Sequence, residues 1–281
     1  MRTNAAPVGG LTAWTPATLR EQDWLLHIDQ PLTAMATRTQ PEFHLPALTL
    51  LAERAKAALE AGPGLVVVRG WPIAGWAEEQ IDLLCYTFGS LIGTPRTQKA
   101  GLVTTGENAR RGMDDQELAF HTDRGGPPGP PHLLGLLCLR AAIHGGESLL
   151  VSGHAVHDRL LEERPDLLAE LYADFHFGAG TVSNFDRVYP VFEWRAGRLR
   201  VQYNRHWIER GQEAAGKPLA SGAVAALDAF DGILADRDMV LCFPLRSGDL
   251  LLVNNDVVLH GRTAFTEDPR ARRRLARMWL D

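Results

Sequence analysis

AFHTDRGGPPGPPHLLGLLCLRAAIHGGES, residues 119–148, is the stretch on which the reading of this chain turns. It opens with a His-x-acid pair, His121 and Asp123. A Gly/Pro tract runs from Gly125 to Pro131, an apolar run follows, and Gly145-Gly146 makes a second turn with Glu147 and Ser148 behind it. Residues i and i+2 of a β-strand lie on one face, so a strand ending at this pair aims an imidazole and a carboxylate at one point. The Gly/Pro tract stops such a strand just past the pair, and loops at strand ends are where chemistry is commonly placed. Three residues alone carry little weight. With 10 His and 34 acidic residues in 281, about one such match arises by chance. His27 and Asp29 form another match, read here as structural.

Composition sets the bounds. Hydrophobic content of 45% and charged content of 22% belong to an ordinary soluble globular protein long enough for a sizeable core. One domain over 1–281 is expected, with an irregular arm over about 1–45. The net charge of −5, with no basic block beyond Arg272–Arg274, excludes a nucleic-acid binder with a broad basic face. No run reaches the roughly 18 apolar residues of a membrane span, and the first residues lack the apolar centre of a secretory signal. No membrane partner is therefore expected. Cys85, Cys138 and Cys242 are far apart and odd in number. They are read as buried reduced thiols of a cytoplasmic protein, with no CxxC metal site.

Periodicity and punctuation predict helices over 46–61, 77–91, 155–162, 165–172 and 221–235, the last with Ser221 as N-cap. They predict strands over 64–70, 132–139, 148–151, 175–178, 189–194, 199–203, 239–243, 250–253 and 272–280, with a hairpin turn at 195–198. Residues 94–118 read as a long polar loop able to cover the His121–Asp123 site. Many short strands with flanking helices, and no regular βαβ alternation, indicate an α/β composition with a mainly β core. A sandwich or jelly roll with helical additions fits better than a doubly wound sheet.

A His-x-Asp pair, a distant His and open coordination positions make a facial triad suited to non-haem Fe(II). His260, behind the strand-like GDLLLVNN, is the natural third ligand. Taken together, FHTDRGGPPGPPHLLGLLCLRAAIHGGESLLVSG, then GDLLLVNNDVVLHGRTAF, then RRRLARMWL resemble the Fe(II)/2-oxoglutarate oxygenases of the taurine dioxygenase and clavaminate synthase type. The resemblance runs over 64–280 with its elements in order.

It implies a double-stranded β-helix, or jelly roll, with flanking helices. It implies Fe(II) on His121, Asp123 and His260, with 2-oxoglutarate as cofactor and dioxygen as cosubstrate. The family's Arg-x-x-x-Arg pair falls on Arg273, for the remote 2-oxoglutarate carboxylate, and Arg277, near substrate or cosubstrate. Arg272 and Arg274 flank this register, and strand alternation favours Arg273 because it shares a face with Leu275 and Arg277. The family's hydroxyl after the Gly-Gly-acid turn falls on Ser148. Three protein ligands leave room on a metal for a bidentate 2-oxo acid and dioxygen. An arginine fork suits the far carboxylate.

The implied reaction decarboxylates 2-oxoglutarate to succinate and CO2 and hydroxylates a small polar metabolite, an amino acid or natural-product intermediate. Desaturation or ring closure is open to the same iron, and the presence of Asp123 disfavours halogenation. Glu117, Arg124, Asn204 and Arg205 are candidate substrate contacts. Two other readings stand beside this one: a non-catalytic jelly-roll sensor of metal or 2-oxoglutarate, and a metal-dependent hydrolase. The sequence leaves substrate identity and oligomeric state open.

Overall fold

Leu65-Val66-Val67-Val68 shows how the chain builds layers. Leu65 and Val67 enter one apolar cluster, Val66 and Val68 another, and all four are fully buried. A strand apolar on both faces must lie inside a sheet covered on both sides. The computed structural model describes residues 6–28, 33–34, 42–43, 45–96, 115–123, 129–178, 187–268 and 270–281. In chain order its main elements are β1 (Leu25–His27), α1 (Leu45–Glu60), β2 (Leu65–Arg69), α2 (Glu78–Ile92), β3 (Leu118–His121), β4 (Leu133–Arg140) and β5 (Ser148–Ser152). Then come α3 (Gly153–Glu163), α4 (Pro165–Glu170), β6 (Phe192–Arg195), β7 (Arg198–Val201), α5 (Arg205–Ala214) and α6 (Ser221–Leu234). The last are β8 (Leu241–Phe243), β9 (Asp249–Asn254), β10 (Val258–Arg262) and β11 (Arg274–Leu280).

Five strands form the larger sheet in the order β1-β2-β9-β4-β11, antiparallel except for the parallel β1–β2 edge. Four form a smaller antiparallel sheet, β8-β5-β10-β3. The outer face of the larger sheet presents Leu250, Leu252, Leu133, Leu137, Ala276 and Met278 to α1 and α2. Those helices answer with Leu48, Leu51, Ala52, Ala55 and Leu59, and with Ile81, Leu84, Cys85, Phe88 and Ile92, a spacing that puts each set on one helical face. The smaller sheet turns Val151 and Leu259 toward α3, α4 and α6. Between the sheets lie Leu65, Val67, Leu134, Cys138, Leu150, Leu251, Val253 and Val258. Each such buried Leu or Val contributes about 1.5–3 kcal/mol. The result is helices, sheet, sheet, helices.

Several expectations need correction. Within the expected irregular arm, Leu25–His27 is a strand, and Trp14 is buried with its indole N–H donating to Pro63 O at 2.7 Å. The segment expected over 189–194 divides between Val188–Pro190, which pairs with Asp174–His176, and β6. The predicted hairpin 195–198 is present, with Ala196 and Gly197 at φ 50° and 78°. Helix α5 was not expected: its buried face is only Ile208 and Gly211, too thin for a periodic signal. Ala220, not Ser221, occupies the N-cap of α6. Strand β11 starts at Arg274, so Arg272 and Arg273 precede it. Cys85 and Cys138 are buried as expected, but Cys242 is exposed. Among the described residues no helix is long and apolar enough to cross a membrane.

Candidate active site

His121 is the last residue of β3, and Asp123 lies two positions beyond it. Thr122 between them is clamped from behind: its N–H donates to Tyr203 O at 2.8 Å, and its hydroxyl accepts from Tyr203 N–H at 3.0 Å. The Asp123 backbone is held by one side chain. Asn255 Oδ1 accepts from Asp123 N–H at 2.7 Å, while its Nδ2 donates to Asp123 O at 2.7 Å and to Pro131 O at 3.1 Å. Asn255 opens the turn between β9 and β10, so the hairpin that delivers His260 also fixes Asp123.

His260 sits in the middle of β10, not in a loop. All five residues of β10 are buried. His260 pairs across the sheet with His121, and their ring centroids are 4.2 Å apart. The ladder between β10 and β3 shifts register just beyond this pair, a device common beside active sites. Asp123 Oδ1 lies 3.6 Å from His121 Nε2 and 3.7 Å from His260 Nε2. One donor atom from each of the three residues falls within 4.8 Å of the others. His121 Nδ1 sits 2.9 Å from Ala119 O, a bond that commits Nδ1–H and leaves Nε2 to face inward.

Burial alone would raise the Asp123 pKa, but the facing imidazoles and Arg277 hold it well below the usual carboxylate range. Burial first, and then His121, push the His260 pKa down. A carboxylate beside two imidazoles, at least one of them kept neutral, is the donor state a divalent metal requires.

The second oxygen of Asp123 has its own partner. Trp279 Nε1 donates to Oδ2 at 2.6 Å. Trp279 belongs to β11 of the larger sheet, and the Arg277 guanidinium lies 4.4 Å from the centroid of its ring. Leu275 and Trp279 pack toward the space between the sheets, whereas Ala276, Met278 and Leu280 face α1 and α2. Alternation places Arg277 on the inner side with the former pair.

At the other end of this interior are Ser148, Arg262 and Arg273. Ser148 and Arg262 are buried cross-strand partners in β5 and β10. Arg262 and Arg273 lie over the same Phe265 ring, 4.5 and 5.3 Å from its centroid. The Gly145-Gly146 turn makes room for them. Gly145 has φ 72°, and a side chain there would meet Ala264 O at 2.1 Å, while one at Gly146 would press on Arg273 Nε at 3.2 Å. Burial, then the like charge of Arg262, lower the Arg273 pKa. Among the described residues no carboxylate pairs with the Arg273 guanidinium. A half-buried cation of this kind calls for an anion.

Other predicted residues fall elsewhere. Glu117 is exposed at the lead-in to β3. Asn204 caps α5 by accepting from Trp207 N–H at 3.1 Å. Arg205 is committed to Glu209, Asp228 and Asp231. Arg124, and residues 97–114 of the expected covering loop, lie outside the described residues. His154 bonds Thr12 and Leu199 O, and His157 bonds Asp158 and the Tyr172 hydroxyl, and among the described residues the donor cluster is that of His121, Asp123 and His260. Sequence reasoning missed Asn255, Trp279 and Arg262. Trp279 was within reach, because it continues the alternation of Leu275 and Arg277 by two residues.

The sequence profile of the taurine catabolism dioxygenase TauD/TfdA family matches residues 29–279, and the chain belongs to that family. It is 25% identical over 312 residues to FR-33289 synthase of Streptomyces rubellomurinus, across 98% of this chain and 90% of that protein. It is 33% identical over 150 residues to a uridine-5′-phosphate dioxygenase of a Streptomyces species, across 50% of this chain and 53% of the relative. Among solved structures it is similar to asparagine oxygenase in complex with Fe(II), 3-hydroxyasparagine and succinate. The TM-score is 0.66 at 19% identity, covering 92% of this chain and 93% of that one. That likeness is one of fold.

Proposed function

We propose that the protein is an Fe(II)- and 2-oxoglutarate-dependent hydroxylase of a small polar metabolite, an amino acid or natural-product intermediate. One observation carries the reading. A three-residue donor set includes His260 of β10, and two residues along the same strand Arg262 pairs with Ser148 and shares the Phe265 ring with the half-buried Arg273. The two sheets are read as the double-stranded β-helix of the family.

His121 Nε2, His260 Nε2 and Asp123 Oδ1 would hold the iron. When bound, iron supplies the dioxygen activation that couples 2-oxoglutarate decarboxylation to hydroxylation. Arg273 holds the remote carboxylate of 2-oxoglutarate, with the Ser148 hydroxyl orienting it. Arg262 beside them adds positive potential. Arg277 faces the space nearer Asp123, where it can orient an anionic group of substrate or cosubstrate. The apolar walls exclude water from this interior and strengthen each of these contacts. The hydroxyasparagine bound by asparagine oxygenase and the name of uridine-5′-phosphate dioxygenase support a small polar substrate. Glu117 remains a candidate contact at the mouth, whereas Asn204 and Arg205 are already occupied within the fold.

The test is to add Fe(II) and 2-oxoglutarate to the protein without oxygen and look for the visible metal-to-ligand band. Oxygen and a panel of amino acids then follow, and succinate and substrate-plus-oxygen products are measured by mass spectrometry. The expected result is the band and substrate-dependent succinate. Absence of both 2-oxoglutarate binding and 2-oxoglutarate consumption would overturn the reading.

A further inference from the structure

We propose that Trp279 is a positioning residue that restricts Asp123 to a single metal-facing oxygen and so keeps a coordination position open for the cosubstrate. The inference rests on the proposed iron site. Asp123 offers two oxygens, and the fold treats them differently. Oδ1 stands 3.6 and 3.7 Å from the two inward imidazole nitrogens. Oδ2 points away from that focus and accepts from the Trp279 indole at 2.6 Å. A carboxylate free at both oxygens can chelate a metal through both and take up two positions. With two imidazoles in place, such chelation leaves too little room for a bidentate 2-oxo acid together with dioxygen.

Indole suits this task. It is a donor only, with no lone pair to offer and no charge to gain or lose, so it cannot become a ligand or release the bond by titrating. Its ring is steadied by the Arg277 guanidinium 4.4 Å away and by the cluster between the sheets. The Asp123 main chain is fixed separately by Asn255. Trp279 therefore controls the rotation of the carboxylate rather than the position of the loop. The restraint also comes from outside the ligand set's own sheet, since β11 belongs to the larger sheet and both histidines to the smaller.

Trp279→Phe keeps the ring and removes the N–H, and two affinities are read without turnover. Fe(II) binding is titrated anaerobically, and 2-oxoglutarate binding is followed by the metal-to-ligand band. The expected result is Fe(II) affinity equal to or tighter than that of the unsubstituted protein, with 2-oxoglutarate affinity weaker by about tenfold. A parallel loss of both affinities would mean that Trp279 only supports the fold, and no change in either would mean that the bond has no consequence. Each of these overturns the inference while leaving the iron site standing. Absence of the band in the unsubstituted protein overturns the site and this inference together.

Should the Phe variant fail to fold, the unsubstituted protein answers the question through tryptophan ¹⁵N-labelling and Zn(II) loading. Of the seven indole N–H signals, one that stays protected from solvent exchange beside the bound metal is expected. If every indole near the metal exchanges freely on loading, the bond does not survive and the inference is wrong.

Discussion

At the residue scale, Asn255 has the widest influence for its size. It is 2% exposed and satisfies three main-chain groups with one carboxamide. Asn255→Leu keeps the volume but orphans the Asp123 N–H, Asp123 O and Pro131 O. Leaving buried polar groups unpaired costs about 1–3 kcal/mol each. Partial relaxation brings the expected loss to about 3 kcal/mol, read from urea unfolding, with metal binding weakened as well. An Asn255→Leu protein of unchanged stability would rule out this account. Nothing local in Asn254-Asn255-Asp256 singles out the middle residue, because three polar residues at a strand end read as a turn. Its role exists only once residues distant in sequence have been brought together. His121 and Asp123 were legible for the opposite reason: the geometry that joins them is local.

At the element scale, legibility followed the burial pattern. Helices α1 and α2 and strands β2, β4, β5, β9 and β11 are legible to within a few residues, because each carries either an apolar face of regular period or a short continuous apolar run. Strand β10 reads as a loop in the sequence because, after Val258, the side chains it turns to the interior are His260 and Arg262, polar residues that pattern reading assigns to solvent.

One polar cluster joins several elements. His132, just before β4, lies 2.7 Å from Glu60 at the end of α1 and 3.3 Å from Asp256 in the β9–β10 hairpin, and Asp256 also pairs with Arg200 of β7. The bond with Asp256, opposed by burial and helped by Glu60, raises the His132 pKa above its ordinary 6.5. A basic group with a raised folded-state pKa gives stability that is fully present below its unfolded pKa and lost as pH rises through the folded value. The protein should therefore lose part of its stability above about pH 6.5. The loss should be about 1 kcal/mol or less, given that the His132 side chain is partly exposed. In His132→Asn that part of the slope should vanish. Urea midpoints across about pH 6 to 9 for the two proteins check it, and identical slopes would remove His132 from the explanation.

At the scale of the whole molecule, the donors of the site come from one sheet and their restraints from both, so metal binding should brace the entire sandwich. A metal that binds only the folded state adds about 2.7 kcal/mol at a hundredfold excess over Kd. For a chain of this length that is a rise in Tm of roughly 5 °C or more. Fe(II) added without oxygen should produce the rise, a chelator should abolish it, and His260→Ala should lack it. Differential scanning fluorimetry suffices, and an equal rise in His260→Ala would place the metal elsewhere. The jelly-roll expectation came from strand number and the absence of βαβ alternation, which are global properties of the sequence. The substrate is not legible, since the stretch around Arg124 in the sequence is punctuated by Gly and Pro and carries no period.

The parallel edge β1–β2 has a consequence for colloidal behaviour. Strand β1 is only three residues long, a poor template for a strand from another molecule. It shields β2, whose Leu-Val-Val-Val core is among the most β-prone stretches of the chain. At the opposite edge, β11 is flanked by residues 94–96, where Pro95 bridges to Leu280 and the Arg96 N–H donates to Trp279 O at 2.8 Å. Removing residues 1–28 would uncover the whole hydrogen-bonding edge of β2. The shortened protein should aggregate by edge-to-edge strand association, detectable as thioflavin-positive particles under conditions where the full chain stays dispersed.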